Sequence, residues 1–523
     1  QTLKNMEKIY KNKEVYIYLT YFVLISYLLL KTGYISDDYT HILNVKNNSI
    51  KNILIPNGLW VVTPLEHYTH NIWYRLFQIN NETIVTILKI AYIYLSFYMV
   101  KNFFSIYLDN QKSFIASFLF IFYPTHGGVT YFYLGSYMTL TISSYLYAYY
   151  AAYHNKLLCA LILSIFASFL SYASPPIAFA LFILFALNRE FKKGAIIIIP
   201  NLVYSLYYIV ITKVMLVSDG GSKLPNEFAI FTIIKQFMLQ IVTFVDAMFG
   251  PSMWLKIYYS FYQLSVLSIV IGALVTVFLY KIHKKYKKDI SKYNVKLVLS
   301  LSLLIIISFV MFAVTGRYPQ LAFNLGNETT IYSSLLISYL LVLAPVSVTL
   351  RTIFCAIMLF SILGVSDHWK SANLQRQQII SNLRSNQDLV NYKENKKIYI
   401  SGNQYSKYGA LSHLEFLVQS WTVASVVELA LDNDNITATT INKNYEYVNG
   451  YLIDNKSNRR AEVTDYINVY DSEKDILFKL SADKINEYIE KFPDEKRHWV
   501  QMVNNETIND AILKLMPRLK YAF

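Results

Sequence analysis

Residues 34–43 read YISDDYTHIL and place two adjacent carboxylates, Asp37 and Asp38, just past the first long apolar run of the chain. Three chemistries suit such a pair. The plainest is a helix cap or a solvated loop charge. A second is a cation site, because two hard carboxylates suit Mg²⁺ or Mn²⁺ holding a phosphate. The third is a general base: a carboxylate beside another has its pKa raised, which suits taking a proton from a hydroxyl. Spacing alone leaves all three open.

Other polar residues gather around the same side of the apolar runs. His41 follows the pair within one helical turn. Glu66 and His70 share one face at i, i+4 in LEHYTHNIWYRLFQIN (65–80), a spacing that is usually just a polar face. YPTHGG (123–128) puts His126 at the end of a run, where a capped, hydrogen-bonded histidine is the ordinary reading. TGRYPQLAFNLGNE (315–328) puts Arg317 and Tyr318 just past another run. An arginine fork at headgroup level suits a lipid phosphate, and equally suits interface snorkelling. Lys256 is a second cation candidate for that phosphate, and Asp246 stands alone in an apolar stretch.

The elements that must position these residues are membrane spans. Of 523 residues, 54% are hydrophobic and only 16% charged, where a soluble protein carries about a quarter charged. Mean hydropathy is +0.31. Apolar runs predict eleven spans, near 14–31, 84–107, 112–124, 129–153, 157–172, 175–188, 194–215, 255–281, 295–314, 329–348 and 350–366. The formal charge of +14 would suggest nucleic acid in a soluble protein. Here the basic residues bunch in alternate short loops, KIHKKYKKDISK (281–292) most densely, so they read as topology signals and no nucleic-acid partner is expected. They predict a cytoplasmic N-terminus and an outer C-terminus in a cytoplasmic membrane, with 229–250 lying in the interface. The two cysteines, Cys159 and Cys355, both fall inside apolar runs and provide no disulfide framework.

Three parts result: a membrane domain over 1–366 whose first outer loop is 32–83, a polar amphipathic helix over 367–391, and an outer domain over 392–523. In the last, KKIYIS (396–401) reads as a strand closed by Gly402, ALSHLEFLVQSWTVASVVELAL (410–431) as a helix, and EVTDYINVYD with DILFKL as a hairpin. The fold class expected is a polytopic α-helical membrane protein with a small C-terminal α/β extracytoplasmic domain.

The acid pair in the first outer loop, followed by the juxtamembrane stretch LEHYTHNIWYRLFQIN, resembles the GT-C superfamily of polyprenyl-phosphate-sugar-dependent glycosyltransferases. From WVVTPLEHYTHNIWYRLFQIN through ASFLFIFYPTHGGVTYFYLGS, the chain is similar to bacterial relatives of the O-mannosyltransferases with tetratricopeptide repeats. Their Pro-x-His element is matched by Pro124, Thr125 and His126, and their late Arg-Tyr element by Arg317 and Tyr318. The departures are specific. Trp60-Val61-Val62-Thr63-Pro64 stands where Trp-Arg-Pro is usual, Gly127 and Gly128 stand where an acid follows the histidine, SYASPP replaces a Lys-Glu, and the repeats are absent.

The resemblance implies a GT-C-like fold and transfer of a sugar from a polyprenyl-phosphate donor to a glycan, lipid or protein acceptor, with inversion. It implies Asp37 as base or metal ligand supported by Asp38, Arg317 with Lys256 on the lipid phosphate, and Tyr318, His126, Glu66 and His41 around the substrate. The rival expectation is a catalytically decayed scaffold that docks a protein partner through 392–523. A transporter ranks last, since it would place charges inside the bilayer or show two similar halves.

Overall fold

The computed structural model describes residues 2–47, 61–77, 82–214, 229–285, 293–316, 319–394, 396–409, 411–455 and 459–492. Arg317, Tyr318, Trp60 and the tail after 492 lie outside the described residues. Among the described residues, five helices are long and apolar enough to cross a membrane: Glu82–Phe104, Phe191–Lys213, Ile230–Tyr262, Val295–Thr315 and Val348–Ser385. Shorter apolar helices such as Glu14–Leu29, Leu157–Leu170 and Pro175–Leu187 pack among them. The protein is a membrane-embedded helical bundle with a small C-terminal sheet domain.

Its surface follows from the solvent. Leu202, Val203, Leu206 and Val210 stand exposed along one helix, and Leu267, Val270, Leu274 and Val277 along another, as lipid-facing walls require. Between helices the chain places small hydroxyls that bond across the gap or within the turn. Ser300 Oγ donates to the Ala180 carbonyl at 2.7 Å, and the Tyr145 hydroxyl meets Ser168 Oγ at 2.5 Å.

The helices that matter for the site are α1 (Thr2–Leu29), α2 (Asp37–Asn47), α3 (Pro64–Phe77) and α4 (Glu82–Phe104), then α5 (Pro251–Tyr262), α6 (Val348–Ser385), α7 (Ser420–Leu431) and α8 (Ile485–Glu490). The amphipathic segment expected after the last span is continuous with it, so that α6 runs 38 residues as one helix. The segment 229–250, expected in the interface, is the helix Ile230–Met248, and with α5 it forms one of the five long apolar stretches. Pro251 starts α5, and Asp246 accounts for itself by accepting from Ser252 N at 3.1 Å and Ser252 Oγ at 2.5 Å across the break.

Nine short strands follow among the described residues. β1 (Ile398–Ser401), β4 (Ala438–Thr440), β8 (Tyr466–Asp471) and β9 (Ile476–Ser481) form one sheet in the order β4-β1-β8-β9. β4 and β8 both run parallel to β1, and β9 returns antiparallel to β8. β2 (Tyr405–Tyr408) pairs with β3 (Leu411–Glu415), and β5 (Tyr445–Val448), β6 (Tyr451–Asp454) and β7 (Arg459–Glu462) form a third sheet. The β1 strand and the β8–β9 hairpin match their sequence patterns. The long helix expected over 410–431 does not form: Leu411–Glu415 is a strand, and the helix starts only at Ser420. The reason is pairing, because Ser412 and Leu411 sit in register with Lys407 and Tyr408, a partner no local pattern announces.

Parallel strands are buried on both faces, and β1 obeys this. Ile398 and Ile400 point into a core with Val423, Val426 and Val427 of α7 and Ile379 and Leu383 of α6. Tyr399 points the other way, with Val469 and Ile467, onto Ile485 and Ile489 of α8. The first of these cores also contains Tyr34, Tyr39, Ile42, Val85 and Leu88. The C-terminal domain therefore shares its interior with the first loop of the bundle.

Candidate functional site

The acid pair opens α2, and the chain reaches it through a strained turn. Lys31, Gly33 and Ser36 all have positive φ, at 61°, 61° and 43°. Such backbone persists only where its surroundings over-determine it, and here they do. Lys89 of α4, fully buried, donates to Thr32 Oγ1 at 2.7 Å, to the Gly33 carbonyl at 2.7 Å and to the Tyr131 carbonyl at 3.1 Å. From α6, Asn373 Nδ2 donates to the Lys31 carbonyl at 3.2 Å and Arg376 to the Thr32 carbonyl at 3.3 Å. Glu82 in turn accepts from Asn373 and Gln377. Glycine suits position 33, because its φ is +61° and a Cβ there would meet the Asn373 side chain.

The two acids take different roles. Asp38 is fully buried. Its Oδ2 accepts from Ile35 N at 3.0 Å and its Oδ1 from Leu134 N at 3.2 Å. Burial pushes its pKa up, against those two N–H donors and the nearby Lys89. Asp38 thus joins the α1–α2 turn to the loop before the helix Ser136–Tyr153. Asp37 is half-buried and lines a cavity of about 330 Å³ together with Glu66, His41, Tyr137, Glu328 and Glu415. Its Oδ1 accepts from Trp421 Nε1 of α7 at 2.7 Å. The α2–α7 contact is fastened further along by Ser425 Oγ on Thr40 Oγ1 at 3.2 Å and by Lys46 with Asp432 at 2.6 Å.

Asp37, His41 and Glu66 are thus brought to one cavity. His126 is not. It is fully buried in the bundle, with Nε2 at 3.2 Å from the Ile121 carbonyl and Nδ1 at 3.1 Å from Ser334 Oγ, which makes it a tie between helices. Lys256 is not there either. It is fully buried, with Nζ 2.8 Å from His413 Nε2 and lying 4.8 Å and 4.9 Å above the Phe323 and Tyr408 rings. His413 Nδ1 accepts from Asn324 N at 2.9 Å, and its ring stacks on His368 at 5.3 Å. Among the described residues lining the Asp37 cavity there is no Lys or Arg.

The pair does not suit a shared divalent cation. Both Asp38 oxygens already accept backbone N–H bonds, which leaves Asp37 as the acid of the pair that faces the cavity. Sequence reasoning missed Glu328, Glu415 and Trp421. Glu328 ends the same TGRYPQLAFNLGNE stretch that drew attention for Arg317. Glu415 and Trp421 carried no local signal, since the fold alone brings them to α2.

Protein-family models, curated proteins and solved structures contain no match to this chain. What the site can do rests on its own chemistry. A half-buried carboxylate that accepts from an indole and faces a cavity with further acids and an imidazole can accept a proton from a hydroxyl placed there. Its volume lies at the small end of the about 300–1,000 Å³ usual for ligand sites.

Proposed function

We propose that this chain is a GT-C-type glycosyltransferase of about eleven spans in a cytoplasmic membrane, with its C-terminal domain outside. It moves a sugar from a polyprenyl-phosphate donor to an acceptor hydroxyl in the Asp37 cavity. Asp37 takes the hydroxyl proton. The acceptor oxygen forms a bond to the anomeric carbon from the face opposite the lipid phosphate. The anomeric carbon–phosphate oxygen bond breaks, and its electron pair leaves with the phosphate. Configuration inverts. Asp38 acts through position, holding the turn that aims Asp37. The donor phosphate needs a cation, and Arg317, just beyond the helix Val295–Thr315, fills that role.

The observation that carries this reading is the division of labour within the pair: one acid sealed on backbone donors, its neighbour turned into a cavity. In vitro transfer from a polyprenyl-phosphate sugar by protein in nanodiscs tests it, with Asp37→Asn as the decisive variant. Retention of wild-type transfer would remove the base assignment.

A second reading is a scaffold that has kept the fold and lost the chemistry. Two observations favour it: the acid-rich cavity lacks a cation among its described lining residues, and the C-terminal domain shares a core with the first loop, which suits a rigid platform. A stoichiometric partner in purified complexes, with no lipid-linked sugar bound, would decide for it.

A further inference from the structure

A second, polar cavity lies elsewhere among the described residues. It holds about 740 Å³ between α6 and the C-terminal sheet, and none of the residues above proposed for transfer line it except by way of the domain they share. Its floor follows from topology. β1, β4 and β8 are mutually parallel, so their carboxyl ends open on one edge. The segments leaving those ends are all polar: Gly402-Asn403-Gln404, Asn442-Lys443-Asn444 and Ser472-Glu473-Lys474. The chain leaves central β1 toward α7 and β4 on one side, whereas β8 turns back to β9 on the other. In open α/β sheets such a divergence leaves a crevice at the carboxyl edge, and ligands bind there.

The crevice is pre-formed. Asn403 Nδ2 donates to the Ser472 carbonyl at 3.1 Å, Gln404 Nε2 to the Ile441 carbonyl at 2.8 Å, and Ser472 Oγ to the Ser401 carbonyl at 2.7 Å. Ser401 Oγ also meets the Tyr488 hydroxyl of α8 at 2.7 Å. These bonds tie the three loops and α8 together. Gly402, at φ +73°, lets them close, since a Cβ would come within 3.0 Å of Glu473 Cγ.

The lining chemistry narrows the ligand. Amides and hydroxyls dominate, Tyr405, Tyr488 and Phe492 add ring faces, and four lysines (407, 443, 474 and 491) stand against two carboxylates, Asp471 and Glu473. Asp471 accepts from Glu473 N at 3.0 Å and Lys474 N at 3.2 Å, and Glu473 from Asn403 N at 3.3 Å. Lys474 pairs with Asp471 at 3.3 Å and Lys491 with Glu487 at 2.8 Å, while Lys443 donates to the Glu490 and Phe492 carbonyls. Both ion pairs put an exposed lysine at the rim, and such solvent-exposed pairs are weak enough for an incoming anion to replace the carboxylate. A nucleotide would want a helix N-terminus at this edge to receive its phosphates. Here β1 leads into the β2–β3 hairpin, β4 into β5 and β8 into β9, so no helix begins there. Recognition must come from side chains: amides for hydroxyls, rings for sugar faces, and rim ammoniums for a negative charge.

We infer that this carboxyl-edge cavity binds an acidic saccharide, a glycan bearing carboxylates. This goes beyond the transfer reaction and does not depend on it. The test is binding to the full chain in nanodiscs, measured by calorimetry with a galacturonic acid trisaccharide, its neutral galactose counterpart and ATP as probes. The acidic trisaccharide should bind and the neutral one bind more weakly. Lys474→Ala with Lys491→Ala, both exposed, should weaken the acidic sugar about five- to tenfold, the worth of two solvent-exposed charge pairs, and leave the neutral one unchanged. Ser371→Trp, on the exposed wall of α6, should block both sugars without altering thermal unfolding. No binding of either sugar, acidic-sugar binding that survives Ser371→Trp, or preferential binding of ATP would overturn the assignment.

Discussion

Around Asp37 the C-terminal domain covers a turn but leaves a cavity; around Lys256 it closes completely. Both places lie where the helical bundle meets that domain, and both bring titratable side chains from distant segments together. At the first, α7 approaches α2 and lays the Trp421 indole on the Asp37 carboxylate. At the second, β3 delivers His413 directly onto Lys256, and Phe323, Tyr408 and His368 wall off what remains. Burial and the desolvation it brings hold the His413 pKa well below that of a free imidazole. The difference teaches that a charged residue among apolar neighbours is not thereby a site. What separates them is whether packing exhausts the group's partners or turns it toward a space that a ligand can enter.

The largest effect expected is on Asp38, the acid that the comparison treats as structural. Asp38→Ala leaves the Ile35 and Leu134 N–H groups buried without an acceptor, and should cost about 2–5 kcal/mol, read as a lower midpoint in thermal or denaturant unfolding. An unchanged midpoint would break the division between the two acids. A second effect is spread over pH. His70 is fully buried and His41 partly buried in the same region, and desolvation first, then neighbouring histidines, lowers both, His70 to about 3. A base lowered on folding binds its proton more readily when unfolded. The contribution of these two histidines to stability should therefore be full above pH about 6.5 and be lost as pH drops from there toward about 3. His70→Phe should flatten that fall; an unaltered pH profile would show that His70 does not contribute.

These cases show what the sequence could reveal. The apolar runs announced the helices, and the acid pair announced itself by position. His126 and Lys256 looked as good as His41 and Glu66, because residue type does not say which way a side chain packs. Lys89 did carry a signal that spacing arguments passed over: a lysine inside an apolar helix must find partners, and it found the turn that aims the acid pair. Glu415 and Trp421 had no such signal. They reach α2 only because β2 pairs with β3 and the α7 face packs on the first loop, both long-range events.

Smaller effects sharpen the comparison. Lys256→Met keeps the volume of a walled-in chain and removes only its amine, so stability should change by less than about 1.5 kcal/mol and transfer should persist. A stable Lys256→Met protein without transfer would return Lys256 to the active machinery. Trp421→Phe removes one hydrogen bond to Asp37 while keeping the ring, and should cost about 0.5–1.5 kcal/mol. It should also shift the pH dependence of transfer, since the indole favours the ionised acid. A shift of zero would mean that Asp37 does not titrate in the reaction.

The most direct measurement is the transfer rate of Asp37→Asn against wild type, from a polyprenyl-phosphate sugar in nanodiscs, with folded fraction measured in the same samples. The account predicts a loss of about 10²-fold or more, the usual worth of a positioned general base, with thermal unfolding unchanged. Wild-type transfer by a folded Asp37→Asn protein would contradict it.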